Sequence, residues 1–497
     1  MRPNILVIFA DQMRGDTMGC AGHPCVRTPH LDRLARDGVR FSRAFTPNPI
    51  CVPARAAFTT GNYPHRCTGD KNNAGALRED QIRIAEWFAR NGYGTYASGK
   101  LHYVPYAPPG QPRLVHGFQR VALHESGRVV GLYDPRGELT GLEDYHDYLR
   151  EVGWGGYARA HGVGNNDIHP APSPLPAEHY ADAWVCSEAI RFLDDHRRHR
   201  SHEPFFMFMS FPKPHAPYDP PRPWDALYDP RRVPAPLQAR DDEGALRTPT
   251  KGDEARSHGW GLWSPECHRV ARAHYYGQVS FQDDQIGRML AWLERQGLLD
   301  DTIVVYTADH GDLLGDFGFF GKSCFYQGSV GIPFIVHWPK ALRRGLVSTA
   351  PVGLQDLLPT LAGLAGMSLP QAVDGIDLGP LLRGEEGPRR EFFVAQCQRS
   401  PRQLYMVADR RWKYLYSERG GVEELYDHEH DPDDLTNLAC RHASREVLKY
   451  FRKALRDWAE EHGDHEILAP GGGLAVSPMT DAGTVAFQPG SMGWRWY

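Results

Sequence analysis

The chain has 497 residues, 41% of them hydrophobic and 24% charged, with a formal net charge of −5 at pH 7. That length supports a large core, with one big domain plus a smaller one as the natural division, and the composition is that of a soluble globular protein. So weak a charge speaks against a nucleic acid or an anionic membrane as the main partner, and any anion site has to be a local cluster.

Met1-Arg2-Pro3-Asn4 leads directly into Ile5-Leu6-Val7-Ile8-Phe9-Ala10. This run is too short for a signal sequence and has no small-residue cleavage site. No stretch elsewhere approaches the ~18–20 apolar residues of a membrane span, so a cytoplasmic protein without a membrane partner is expected. The run reads as a buried parallel strand ending in Asp11-Gln12. Thr28 to Ala35 predicts a helix with Thr28 as N-cap, Pro29 in the first turn and Gly38 at the close.

Cys51-Val52-Pro53-Ala54-Arg55 follows, continued by Ala56-Ala57-Phe58-Thr59-Thr60-Gly61. Pro53 suits a first helical turn and Gly61 a left-handed cap, so Cys51 falls at a helix N-terminus. There the unpaired N–H groups and the dipole favour a thiolate or an oxyanion, and Arg55 lies one turn on, on the same face. A buried thiol ahead of a packed helix accounts for the stretch equally well. The nine cysteines are scattered without a C-x-x-C pair, which argues against a disulfide framework or a thiolate zinc site.

A further helix carries Ile84, Trp87 and Phe88, stops at Asn91-Gly92, and leads to a strand from Tyr93 to Ser98 that ends in Gly99-Lys100-Leu101-His102. From about Tyr103 to Glu178 the chain is dense in Gly, Pro, His and charge and shows little periodicity. A helix from His179 to about Arg197 precedes an apolar strand, Phe205 to Phe211, which ends in Pro212-Lys213-Pro214-His215. After a second loop, about Pro220 to Ser264, come a helix over 269–297, a strand Thr302 to Thr307 ending in Ala308-Asp309-His310-Gly311-Asp312, the turn Gly321-Lys322, and a strand Pro333 to Trp338. A helix begins near Asp356, and the character changes from about residue 370. Short strands at Glu391 to Gln396, Leu404 to Val407 and Trp412 to Tyr416, then a helix from the N-cap Ser444 to His462, predict a smaller α+β subdomain over 371–497. Its aromatic tip, Trp494 to Tyr497, suggests self-association as a homo-oligomer.

Asp11, Lys100, His102, His215, Asp309 and His310 all fall just past the ends of separate predicted strands, the edge at which open α/β sheets bind ligands. Asp11, Gln12, Asp309 and His310 form a donor set suited to Ca²⁺ or Mg²⁺, with the imidazole leaving Mn²⁺ open. Arg55, Lys100, Lys322, His102 and His215 would make a pocket for a tetrahedral oxyanion around such an ion.

With these residues in view, the chain resembles the type I sulfatases of the alkaline phosphatase-like superfamily. The matching stretches are Arg2 to Gln12, Thr28 to Leu34, Cys51 to Gly61, Gly92-Tyr93 with Gly99 to His102, Pro214 to Pro217, Thr307 to Gly311, Gly321-Lys322, and Leu425-Tyr426-Asp427 with Asp431-Pro432 and Asn437-Leu438. The resemblance implies a large, mostly parallel sheet flanked by helices over 1–370. It implies that Cys51 is converted to formylglycine by a formylglycine-generating enzyme, and that the hydrated aldehyde attacks the sulfur of a small-molecule sulfate ester. By the same resemblance Asp11, Gln12, Cys51, Asp309 and His310 hold a metal, Ca²⁺ in most relatives. Arg55 holds the formylglycine, Lys100 and Lys322 the sulfate oxygens, His215 protonates the leaving group, and His102 serves the nucleophile side.

Gln12 and His310 depart from the Asp and Asn of many members, and the Asp-Gln and Asp-His spellings also resemble bacterial phosphonate monoester hydrolases. A phosphonate monoester or phosphodiester hydrolase is therefore the alternative, and a non-catalytic anion-binding relative a second one. Asn72 and Asn73, after the nucleophile helix, either contact the ester or build a turn.

Overall fold

The computed structural model describes residues 2–242, 245–247 and 263–479. Strand β1, Asn4–Asp11, forms the middle of the main sheet because every residue from Ile5 to Ala10 is fully buried, which requires cover on both faces. It pairs in parallel with β6, Phe205–Pro214, on one side and with β7, Thr302–Ala308, on the other. The sheet runs β5-β4-β6-β1-β7-β8-β2-β9. Its remaining members are β2, Val39–Phe41, β4, Gly94–Gly99, β5, Arg120–Leu123, β8, Phe334–His337, and β9, Leu346–Ser348. All neighbours are parallel except the two pairs that β8 makes, with β7 and β2. The pair β3, Ala44–Phe45, and β10, Val352–Gly353, stands apart.

Alternate side chains of β6 sort the layers. Phe206 stacks on Phe88 of helix α3, Ile84–Arg90, and Phe208 on Phe58 of helix α2, Cys51–Thr60, so these helices cover one face. Three others share contacts with one another and the sheet: α1, Pro29–Asp37, α6, Ala181–His199, and α7, Pro265–Arg295. Every element predicted before residue 100 is present within a residue or two at its ends.

Two caps differ from expectation. Thr28 makes no side-chain cap on α1; its hydroxyl accepts from Gly19 N and donates to Asp32. The carboxylate of Asp283 on α7 takes the His30 and Leu31 N–H groups instead, because α7 crosses the start of α1. Ser444 likewise gives no side-chain cap to the late helix, whose start continues from a 3-10 turn.

The tract 103–178 is not mere loop. It supplies the edge strand β5 and helices α4, Arg128–Tyr133, and α5, Asp144–Glu151. These are short and partly polar, so they leave no periodic trace in the sequence.

After helix α8, Leu357–Leu364, the chain builds an antiparallel sheet, β11-β12-β13-β14, from Phe393–Cys397, Leu404–Ala408, Trp412–Ser417 and Val422–Asp427. The fourth strand adds to the three expected. Helix α9, Arg445–His462, covers one face, with Phe451 stacked on Tyr414. The other face buries Phe393, Met406, Leu415 and Tyr426 together with Phe45, Ile50, Leu313 and Phe325 of the first lobe. The tip Trp494 to Tyr497 lies outside the described residues.

Candidate active site

The site forms where β1 ends. Its ladder with β6 shifts register between Phe9 and Asp11, which comes to lie opposite Pro214, and Gln12 turns away with φ at 69°. One strand over, Asp309 and His310 follow β7; on the other side Lys100 follows β4 and His215 follows β6. Gly99 permits this crowding. A Cβ there would stand 1.9 Å from the Ser210 carbonyl oxygen, and its φ is 94°.

Helix α2 delivers Cys51 as its first residue. Ile50 enters extended, and Asn73 Oδ1 accepts from Val52 N at 3.1 Å, so a side chain 21 residues on caps this helix. Gly61, at φ 74°, closes it with its N–H to the Ala57 carbonyl. Of the two readings left open for Asn73, the structure shows a scaffold contact; Asn72 is tied through its main-chain N–H to Asp70.

Around Cys51 the distances are short. Its Sγ lies 3.2 Å from His310 Nε2, and Lys322 Nζ donates to it from 3.2 Å. Asp11 Oδ1 is 3.9 Å away, and Lys100 forms a buried ion pair with the other Asp11 oxygen. Arg55 Nε donates to Asp309 Oδ2 at 3.0 Å, and Nη1 donates to the Lys100 carbonyl at 2.8 Å and Ser210 Oγ at 3.0 Å. The guanidinium lies over the Phe9 ring, and its Nη2 is buried without a hydrogen-bond partner. His310 Nδ1 donates to the Gly311 carbonyl, which leaves the Nε2 lone pair facing the cysteine. His215 Nδ1 is engaged with the Ala216 carbonyl at 2.8 Å, and His102 Nδ1 is buried without a partner.

These neighbours set the charge states. Burial pushes the Cys51 thiol up, but Lys322 and Lys100 outweigh it and bring it down to about 6. Burial also opposes ionisation of Asp11, yet Lys100, first, and Arg55 hold its carboxyl well below the usual range. Burial, with Lys322 nearby for His215 and Lys100 for His102, keeps both imidazoles well below their ordinary value.

The donor set fits a divalent ion. Asp11, Cys51, Asp309 and His310, all buried, each offer an atom, and these atoms lie within 4.8 Å of one another. Gln12 lies beside them but is already engaged: its Oε1 accepts from Lys322 Nζ at 2.7 Å and its Nε2 donates to Asp312.

Three neighbours escaped the sequence reading. Asp312 gathers Gln12, the Tyr218 hydroxyl at 2.6 Å and the Leu314 and Gly321 N–H groups, and its position two past His310 was a usable signal. Ser210, within β6, holds Arg55. Glu125 accepts from Leu101 N at 2.9 Å and His102 N at 2.7 Å, holding His102 at φ 55°, and nothing in its surrounding sequence marks it.

Comparison with known proteins agrees with this geometry. The profile of the family described as Sulfatase matches residues 3–367, and that described as N-sulphoglucosamine sulphohydrolase, C-terminal, matches 315–461. An arylsulfatase of Clostridium perfringens is 32% identical over 92% of this chain and 94% of its own length. A choline-sulfatase of Rhizobium meliloti is 29% identical over 94% and 88%. Among solved structures, the phosphonate monoester hydrolase of Agrobacterium radiobacter superposes with a TM-score of 0.77 at 25% identity, covering 96% of this chain and all of that one. With the sulfatase profile spanning well over half of its length and a relative of that identity along nearly all of it, this chain belongs to the sulfatase family and is a sulfuric ester hydrolase.

Proposed function

We propose that this sulfatase cleaves sulfate monoesters with a formylglycine made from Cys51 by a formylglycine-generating enzyme. The observation that carries this reading is the setting of Cys51: a buried helix N-terminus, with Lys322 Nζ and His310 Nε2 each 3.2 Å from its sulfur. The hydrated aldehyde offers two hydroxyls on one carbon, one to attack sulfur and one to expel sulfate by breaking a C–O bond.

In this reading Asp11, Asp309, His310 and the residue at position 51 hold the metal, with the Gln12 amide beside them. Two buried carboxylates favour a hard ion, and Ca²⁺ is our assignment over Mg²⁺ or Mn²⁺. The ion would neutralise the ester oxygens and acidify the hydroxyl at position 51. Arg55 fixes the Asp309 carboxylate, and its Nη2, 3.9 Å from Asp11 Oδ2 and without a hydrogen-bond partner, would be satisfied by an oxyanion. Lys100 and Lys322 take the sulfate oxygens. The anionic ester, once bound, opposes the cations that keep His215 neutral, so that its Nε2 can carry the proton given to the leaving oxygen. His102 serves the nucleophile side, and Glu125 keeps its backbone in place.

The likeness to a phosphonate monoester hydrolase favours one alternative, phosphonate turnover by the same residues. Parallel kcat/KM measurements on an aryl sulfate and the matching aryl phosphonate monoester decide. The sulfate is expected to be the better substrate; a higher value for the phosphonate would replace our assignment with the alternative.

A further inference from the structure

Strand β6 runs out beside the reaction site into a segment poor in donors of its own, since Pro212, Pro214 and Pro217 carry no N–H. Lys213 supplies what is missing. It is buried, and its Nζ donates to the His215 carbonyl at 3.4 Å, to the Pro217 carbonyl at 2.8 Å and to Asp219 Oδ1. The three N–H bonds of one ammonium are thus all spent within the 6 residues that follow it. Asp219 is held as well: its Oδ1 accepts from Gln278 Nε2 at 3.1 Å and the Tyr180 hydroxyl at 3.2 Å, its Oδ2 from His161 Nε2 at 3.0 Å. Val163 N donates to His161 Nδ1 at 3.0 Å, which places the imidazole proton on Nε2, against Asp219. Burial draws Lys213 down and opposes ionisation of Asp219, but Lys213 holds that carboxyl below its ordinary value, so the two remain an ion pair.

We propose that Lys213, paired with Asp219, is a positioning residue for His215. The imidazole Nδ1 is engaged with the Ala216 carbonyl at 2.8 Å, and that carbonyl lies in sequence between the two that Lys213 holds, those of His215 and Pro217. Fixing the outer two fixes the peptide between them. The ring is thereby oriented, and its Nε2 is left as the atom that meets the substrate. Lys213 itself touches no reacting atom; it acts through the main chain of the loop. The link also reaches outward, because His161 belongs to the tract 103–178: Ala171 N donates to the Tyr218 carbonyl at 3.2 Å and Ser173 N to the Pro220 carbonyl at 3.0 Å, so that tract is fastened to the chain just past Asp219. The inference rests on the reading of His215 as the acid for the leaving oxygen. A misplaced acid costs most where the leaving oxygen is most basic, and little where a stabilised phenolate departs without a proton.

The test measures kcat/KM on nitrophenyl sulfate and on methoxyphenyl sulfate, the ester of a more basic phenol, for the active full-length enzyme, Lys213→Met, His215→Asn and the variant carrying both. In Lys213→Met the Asp219 carboxylate keeps its Tyr180, Gln278 and His161 donors, so the protein should fold, and circular dichroism verifies this. Should it not fold, Lys213→Met combined with Asp219→Asn, which orphans no buried charge, carries the same comparison. The loss in Lys213→Met is expected to be at least about 10-fold larger on the methoxyphenyl ester, as in His215→Asn, and to disappear when His215 is already Asn. Equal losses of Lys213→Met on the two esters, no loss at all, or a full further loss on top of His215→Asn would overturn the proposal. Equal losses of His215→Asn on the two esters would overturn the reading of His215 as the acid, and the proposal with it.

Discussion

Cys51 and Arg55 divide chemistry and structure between them. On the proposed reading, replacing Cys51 by Ala removes the precursor of the reactive aldehyde while leaving the helix, so kcat/KM on an aryl sulfate should fall by at least about 10³-fold with an unchanged circular dichroism spectrum. Arg55 is different, because it neutralises Asp309 and lies near Asp11 at 1% exposure. Arg55→Met should abolish turnover and also cost about 3–5 kcal/mol in urea unfolding, since it leaves buried carboxylate charge uncompensated. The placement of Cys51 and Arg55 one turn apart on the first turns of a helix was legible because Pro53 and Gly61 marked its start and end. Ser210 was not, because a serine inside an apolar strand reads as filler until Arg55 is seen to reach it. Glu125 was hidden for a further reason: its partners are main-chain N–H groups, which leave no residue pattern.

At the scale of elements, the late sheet is fastened by charge as well as by apolar packing. Lys413 on β13 and Gln327 N in the first lobe both donate to Asp434 Oδ2 at 2.7 Å, and His428 meets the other oxygen at 2.7 Å. Burial raises the Asp434 carboxyl, but Lys413 and His428 outweigh it and bring it down to about 2. A group whose folded value is depressed stabilises the fold above its unfolded value and loses that contribution as pH falls through the folded one. Asp434 should therefore contribute about 2–3 kcal/mol above pH ~4, fading as pH drops toward ~2. Asp434→Asn should cost about 3–5 kcal/mol at neutral pH by leaving Lys413 buried and unpaired, and should flatten the acid limb of the stability curve between those values. The tract 103–178 shows where sequence reading stops. β5 is an edge strand of four residues and α4 a helix of six, too short for either period to declare itself. The N-cap of α1 was misread for a related reason: Asp283, which replaces Thr28, lies more than 250 residues away.

Over the whole molecule, the two sheets meet at the reaction site. The apolar face of β11–β14 shares its core with Ile50, one residue before Cys51, and with Cys324 and Phe325 just after Lys322. The small lobe thus clamps both segments that converge on Cys51. Strand order along the main sheet was foreseeable only in outline, since apolar runs announce strands but not their neighbours; β2 and β9 at one edge are three residues each. On the proposed reading, a metal held by Asp11, Asp309, His310 and residue 51 would couple the strand ends β1 and β7 to α2, so exhaustive chelation should abolish turnover and lower the melting temperature, with both restored by Ca²⁺. Full activity after chelation would contradict the metal assignment. The most direct test of the central claim is the mass of the tryptic peptide Ala44 to Arg55, taken from a preparation shown to hydrolyse an aryl sulfate. Our account predicts that Cys51 in that peptide carries an aldehyde in place of its CH₂–SH group, in a fraction that scales with specific activity. A fully active preparation in which every copy of the peptide retains the thiol would contradict it.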